Sequence, residues 1–343
     1  MGIRTYMTEM LGIKYPIISA AMGPLFTKEL AVAVSEAGGL GVVGEHASVG
    51  GSNVKFMKES FKFVVEHTDK PFGFNIRTSR NELMATNMCR RIPKFIMENQ
   101  RIREQCVYAL TSAGTPRMLG QSKSFQKLKE ATEIKHFHVA PALWLADKCV
   151  ASGVDGLVCT GTEGAGHQSY EKVSTLILLQ QVRKKYPGMP LIGCGGFATG
   201  EGLAAAISMG AGAVAMGTRF VASKESDFPQ NFKDIIPPAQ AEDTVLVTGT
   251  LGPIRLWKNK YSLSHGFMSK EERMAHEKTR TNQDVVDEAK PYFAIYEGEM
   301  ENAAYLLGQS AGLVDRIENV KDIIETIVND AEKCLRNAYK TVF

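Results

Sequence analysis

Eight short apolar runs, separated for the most part by stretches of helical spacing, predict an α/β chain whose parallel strands close into a barrel. The alternation comes in eight units, the number that closes a TIM-type (β/α)8 barrel, and glycine-rich breaks follow the seventh and eighth strands. A doubly wound open sheet shares the alternation and is the rival. The place of the last two glycine breaks, where such barrels commonly seat a phosphate, decides for the barrel.

The runs lie at residues 16–20, 40–43, 72–75, 105–110, 134–139, 154–159, 191–194 and 213–216. Short, continuous, partly β-branched segments of this kind read as strands buried on both faces. Helical spacing appears at residues 28–37, 53–67, 82–101, 116–130, 143–152, 173–186 and 202–209. After residue 221 the pattern changes. Residues 224–290 are rich in charge and turn formers, with a strand expected at 244–248, and read as an excursion packed over the barrel. Periodicity returns from residue 300, with a turn at 308–312 before a helix at 320–335 that returns to the barrel wall. The expected organisation is a barrel over 1–223, a lid-like subdomain over 224–299 and a helical segment over 300–343 that packs back.

Composition excludes several classes. With 44% apolar and 22% charged residues and a net charge of +3, nucleic acid and anionic membranes are not expected partners; a small molecule is. No apolar run reaches the roughly 18 residues that cross a bilayer, and the first residues lack a secretory core, so a cytoplasmic location is expected. The six cysteines form no C-x-x-C pair, which argues for reduced thiols, with Cys159 and Cys194 as small buried hydrophobes. No metal site is expected.

The chemistry concentrates in residues 154–170, VDGLVCTGTEGAGHQSY, where a strand breaks into a glycine loop ending on His167. Histidine exchanges its proton near neutral pH, so His167 is the candidate catalytic base. Glu163 could orient it or cap a loop. In PLIGCGGFATGEG and AVAMGTRF, the breaks at Gly195, Gly196, Gly217 and Thr218 offer backbone N–H groups to a phosphate, and Arg219 adds a cation. Small residues in PIISAAMGP, with Ala21, Met22 and Gly23, would let a flat ring lie against backbone, or serve only tight packing at a strand-to-helix turn. Asn75 can donate to and accept from a heterocycle. The basic residues of 77–103 read as the solvated side of a long helix, although some could attract an anionic substrate tail.

With these residues in place, the chain resembles the nitronate monooxygenase family, once called 2-nitropropane dioxygenases, and its relative the flavin-dependent enoyl-[acyl-carrier-protein] reductase. PIISAAMGPLFTKELAVAVSEAGGLGVVG, GTEGAGH, IGCGGFATG, MGTRF and GQSAGLV carry the likeness in order, and VTGTLGPIRLWKN looks like the family's segment before its C-terminal cover. The resemblance implies a TIM barrel holding FMN non-covalently. It sets Ala21, Met22 and Gly23 against the isoalloxazine, Asn75 in a bond to it, Thr160 near its polar edge and Ala165 in the same loop. It further implies that Gly195, Gly196, Met216, Gly217, Thr218 and Arg219 enclose the phosphate and that His167 faces the flavin. In the nitronate enzymes such a histidine can remove the proton alpha to a nitro group, after which electrons pass to FMN and dioxygen reoxidises it. An NAD(P)H-dependent reductase of enoyl thioesters is the alternative, a barrel that only binds a phosphorylated ligand is a third reading, and a homodimer is compatible with each. Thr160, Ala165 and Ser169 stand where the family commonly has glutamine, glycine and glycine, changes that bear on substrate identity.

Overall fold

A computed structural model describes residues 2–23, 25–45, 53–79, 84–249, 252–277, 287 and 290–342. Eight parallel strands form one sheet: β1 (Ile17–Ser19), β2 (Gly41–Val43), β3 (Phe72–Arg77), β4 (Cys106–Ser112), β5 (Lys135–Ala140), β6 (Gly156–Thr160), β8 (Leu191–Cys194) and β9 (Ala213–Met216). A short strand β7 (Gly166–His167) lies between β6 and β8 in sequence and belongs to a separate sheet. The large sheet runs β1-β9-β8-β6-β5-β4-β3-β2, and a bridge between Ile18 and Leu40 brings its two ends together. The chain is therefore a (β/α)8 barrel, as expected.

Alternation along the strands sorts the side chains. Ile18, Val42, Tyr108, Leu110, Phe137, Val158, Ile192 and Ala215 pack together inside the barrel, while Phe72, Phe74 and Ile76 pack outward against helices Asn53–His67 and Ala85–Glu98. Tyr108 crosses the interior so closely that a Cβ on Gly73 would lie 2.6 Å from its ring, so this position takes only glycine. Met7 and Leu11 of an N-terminal helix, Tyr6–Leu11, join the same cluster. That helix went unread in the sequence, although Thr5 as a capping residue and Gly12 at φ 64° delimit it in the usual manner.

The expected helices are present with two differences. The segment at 82–101, whose first residues lie outside the described ones, forms Ala85–Glu98 and then a separate turn, Gln100–Gln105, with the break at Asn99. The segment at 116–130 splits into Arg117–Gly120 and Lys123–Ala131, with Ser122 between them in extended backbone and its hydroxyl donating to the Cys89 carbonyl. Helix Val320–Tyr339 buries Val320, Ile323, Ile324, Ile327, Val328 and Ala331 at helical spacing. It packs on Gly200–Ser208, where a Cβ on Gly200 would meet Ala331 N at 2.6 Å.

After the barrel, Phe228, Phe232, Ile235 and Ile236 enter the same core cluster as the strands. The expected strand at 244–248 appears as β10 (Thr244–Gly249), and it pairs antiparallel with β11 (Gly252–Trp257), which pairs in turn with β7. This three-stranded sheet grips the histidine loop. Residues 250 and 251 of VTGTLGPIRLWKN lie outside the described residues, as do Pro24 of PIISAAMGP and most of 278–289.

Inside β4 and β5, Thr111 Oγ1 lies 2.9 Å from His136 Nε2 and 2.7 Å from His138 Nδ1. Burial foremost pushes the two imidazoles down, to about 4 and about 3 respectively. In the unfolded chain they titrate near 6.5, so below that pH the unfolded state binds protons the folded state refuses. Their contribution is whole above about pH 6.5 and is lost as pH falls towards 4. We expect the melting temperature to fall over that interval, and His138→Gln to flatten the fall; a flat profile between pH 6.5 and 4 would contradict it.

Candidate active site

Every βα loop of a parallel barrel leaves from the carboxyl rim, so residues at strand ends converge there whatever their separation in sequence. A cavity at this rim is lined by Ala21, Met22 and Gly23 after β1, Asn75 and Arg77 at the end of β3, and Thr160 at the end of β6. Gly164, Ala165 and His167 of the glycine loop, Gly195 and Gly196 after β8, and Gly217 and Thr218 after β9 complete it, with Leu306 and Ser310 of the C-terminal tail above. Ten of the twelve expected cofactor residues thus face one space, together with His167.

Met216 and Arg219 are the exceptions. Met216 is spent on the strand, packed in the core with its carbonyl accepting from Ala20 N. Arg219 turns away from the cavity: its guanidinium pairs with Glu318 and donates to the carbonyls of Ala222 and Arg316. A buried guanidinium with a carboxylate partner 99 positions away clamps the tail and does not itself line the cavity. Removing one partner of such a pair costs about 3–5 kcal/mol. Glu318→Ala should therefore lower the unfolding free energy by a few kcal/mol in a denaturant titration, and leave flavin affinity unchanged below the melting range. Loss of flavin affinity instead would return Arg219 to the phosphate site.

Glu163 does not orient His167. Its carboxylate accepts from Thr175 N at 2.9 Å and Thr175 Oγ1 at 3.0 Å, tying the glycine loop to the start of helix Thr175–Lys185. Orientation of His167 comes from backbone, through its pairing with Ile254 of β11. Arg77 does not belong to the long helix expected over 77–103: it ends β3 and lines the cavity, whereas Arg90, Arg91 and Lys94 are exposed as expected. Cys159 and Cys194 are free thiols whose burial raises their pKa, to about 12 for Cys159, so neither is a ready nucleophile.

The cradle fits a phosphorylated planar group. Gly195 and Gly196 take φ +85° and +84°, where a side chain would be strained, and a Cβ on Gly195 would come within 2.9 Å of Gly164 N. At Gly217 the space opens into the cavity, the nearest atoms to a Cβ being Ala20 Cβ at 3.6 Å and Met22 Sδ at 3.8 Å. Thr218 Oγ1 accepts from Gly308 N at 3.1 Å, which leaves its proton to donate. The helix beginning at Thr218 is one turn long, Thr218–Val221, so close backbone and this hydroxyl, rather than a macrodipole, recommend the spot for a phosphate. Asn75 Nδ2 lies 3.1 Å from Ser112 Oγ and 3.3 Å from the Leu110 carbonyl, which fixes its amide at the cavity wall.

A second cavity, of about 700 Å³, adjoins the first and shares Ala113, Val139 and His167 with it. Sequence reasoning missed it, because its walls come from distant segments: Arg117, Trp144, Lys148, Gln168 and Tyr170, with Lys270, Arg273 and Met274 from beyond the barrel. Ala113 sits at the junction with φ 56°, a left-handed conformation uncommon for alanine. Among the described residues, His167 Nε2 is buried with no hydrogen-bond partner. Burial foremost, then the charges of Arg77 and Arg273, lowers its pKa to about 4, so the imidazole is neutral at pH 7.

An eight-stranded parallel barrel with its cavities and a neutral histidine at the carboxyl rim places the molecule among the barrel enzymes. More narrowly, the chain belongs to the nitronate monooxygenase family, whose model matches residues 4–330, and it is an oxidoreductase of that flavin-dependent family. It is 30% identical over 98% of its length, and 99% of the relative's, to the (3aS,4S,5R,7aS)-5-hydroxy-7a-methyl-1-oxo-octahydro-1H-indene-4-carboxyl-CoA dehydrogenase of Mycobacterium tuberculosis. A probable nitronate monooxygenase of Staphylococcus saprophyticus is 28% identical over 76% of this chain and 80% of its own. Among solved structures, FabK of Thermotoga maritima superposes with a TM-score of 0.80 at 31% identity over 99% of this chain and 100% of its own. No helix among the described residues is long and apolar enough to cross a membrane.

Proposed function

We propose that the protein is an FMN-dependent oxidoreductase acting next to the carbonyl of an acyl thioester, with His167 exchanging the proton. The observation that carries the reading is the position of His167, whose unpartnered Nε2 belongs to a ring that walls both cavities. The first cavity would take FMN, its ring along Ala21, Met22 and Gly23 and its phosphate at Gly195, Gly196, Gly217 and Thr218. FMN supplies a two-electron acceptor and donor that no side chain provides.

The protein's own contribution is proton handling and charge. A neutral imidazole accepts a proton from a carbon acidified by its neighbouring carbonyl and returns one in the reverse direction. Arg77 on one side and Arg273 on the other oppose protonation of His167 and favour negative charge on whatever lies between them. The second cavity, at about 700 Å³, is in the range that seats a substrate of drug-like size. Two relatives matched over nearly the whole chain carry names that make them CoA-ester dehydrogenases, which supports the same substrate class. Oxidation of alkyl nitronates with dioxygen is the second reading, supported by the family match and by relatives called probable nitronate monooxygenases. NAD(P)H is the proposed electron donor when the thioester is reduced.

The two readings separate in one assay. With NAD(P)H under anaerobic conditions, the crotonyl thioester of N-acetylcysteamine should be reduced catalytically, faster than alkyl nitronate drives oxygen uptake in air. Nitronate-dependent oxygen uptake with no thioester turnover would overturn the proposal in favour of the second reading.

A further inference from the structure

The geometry points to a subsite for an adenosine-phosphate tail at the outer mouth of the second cavity, built on Trp144, Lys148, Lys270 and Arg117. It rests on the thioester reading for the inner end of that cavity and extends it outward. His167 marks the buried inner end, shared with the first cavity, whereas these four residues line the same cavity and are exposed. One continuous space therefore leads from the histidine to an aromatic plate surrounded by cations.

Trp144 is 43% exposed, so one face of its ring is open to a ligand in the cavity it lines. Its Nε1 donates to Glu171 Oε1 at 2.9 Å, which fixes the edge of the ring. Lys148 Nζ stands 4.7 Å and Lys270 Nζ 5.6 Å from the ring centroid. Among the described residues, neither lysine nor Arg117 pairs with a carboxylate; Arg117 Nε reaches only Ser152 Oγ, at 3.4 Å. Among the described residues, Glu171 is the one acidic residue lining the cavity, against Arg117, Lys148 and Lys270.

An exposed cation–π contact is weaker than a charge-assisted hydrogen bond to phosphate. The lysines would therefore leave the indole for a phosphate and expose its face to a base. A base stacked on the indole adds to that attraction without regard to sequence. A purine joined to phosphates offers the matching plate and anions. Two substrates of the proposed reaction carry such a tail: a coenzyme A thioester, with a 3′-phosphate, and NADPH, with a 2′-phosphate.

The test is calorimetric titration of the holoprotein with adenosine 3′,5′-bisphosphate and, separately, adenosine 2′,5′-bisphosphate. Neither has a reactive group, so binding is read independently of electron transfer, and a protein that binds but turns over no thioester would sink the proposed function alone. We expect saturable binding of at least one, weakened about tenfold by Trp144→Ala and roughly threefold by Lys148→Ala, and weaker at high salt. Preference for the 3′,5′ isomer assigns the tail to the thioester, and preference for the 2′,5′ isomer to the nicotinamide dinucleotide; either supports the subsite. Absence of saturable binding at millimolar concentrations, or binding that both variants leave intact, would overturn it.

Discussion

Replacing His167 with alanine should reduce turnover by about 10²–10⁴-fold, the usual contribution of a positioned general base, without releasing the flavin. The imidazole is held by backbone pairing of β7 with β11, so truncating the side chain removes the proton acceptor and leaves the loop anchored. No hydrogen bond to Nε2 is lost, because that atom has no partner among the described residues. The variant should therefore melt close to the parent, and its flavin should still be reduced by hydride from NAD(P)H if the loss lies in proton exchange alone. Stopped-flow measurement of the two half-reactions checks this. Equal loss in both would make His167 a packing residue, and no loss in either would remove it from the mechanism.

Gly217→Val should weaken FMN binding by roughly 10- to 100-fold, the cost of forcing extra carbon into an occupied space. The substitution is chosen because it leaves the backbone at ease. Gly217 has φ −103°, and a Cβ there makes only ordinary contacts with Ala20 and Met22. By contrast, Gly195 and Gly196 at positive φ would confound strain with lost binding. The flavin-free variant should fold as well as the flavin-free parent, and fluorescence titration with FMN reads the affinity directly. Undiminished affinity would mean that the phosphate lies elsewhere.

How much of this was legible beforehand follows from where each partner lies in the sequence. The eight barrel strands were readable because strands buried on both faces are largely apolar, and the ends of β2, β6, β8 and β9 were marked by glycines. The glycine loops and Asn75 announced the first cavity for the same local reason. Arg219 was misread because its partner, Glu318, is 99 positions later, and no local pattern distinguishes a buried clamp from a phosphate ligand. Arg77 was assigned to a helix that begins only at Ala85, although the strand FGFNIR runs through it. The second cavity and the anchoring of His167 arise from β11, Trp144 and Lys270, three segments that only the fold brings together. Nothing in their separate neighbourhoods signals that encounter.

The central claim is that one rim cavity binds FMN with His167 standing between it and the substrate, and the visible spectrum of the purified protein tests it most directly. The account predicts a flavin spectrum that NAD(P)H bleaches anaerobically and that the enoyl thioester of N-acetylcysteamine restores, with restoration slowed in His167→Ala. A colourless protein that takes up no FMN on titration, or a flavin restored at the parent rate without His167, would contradict it.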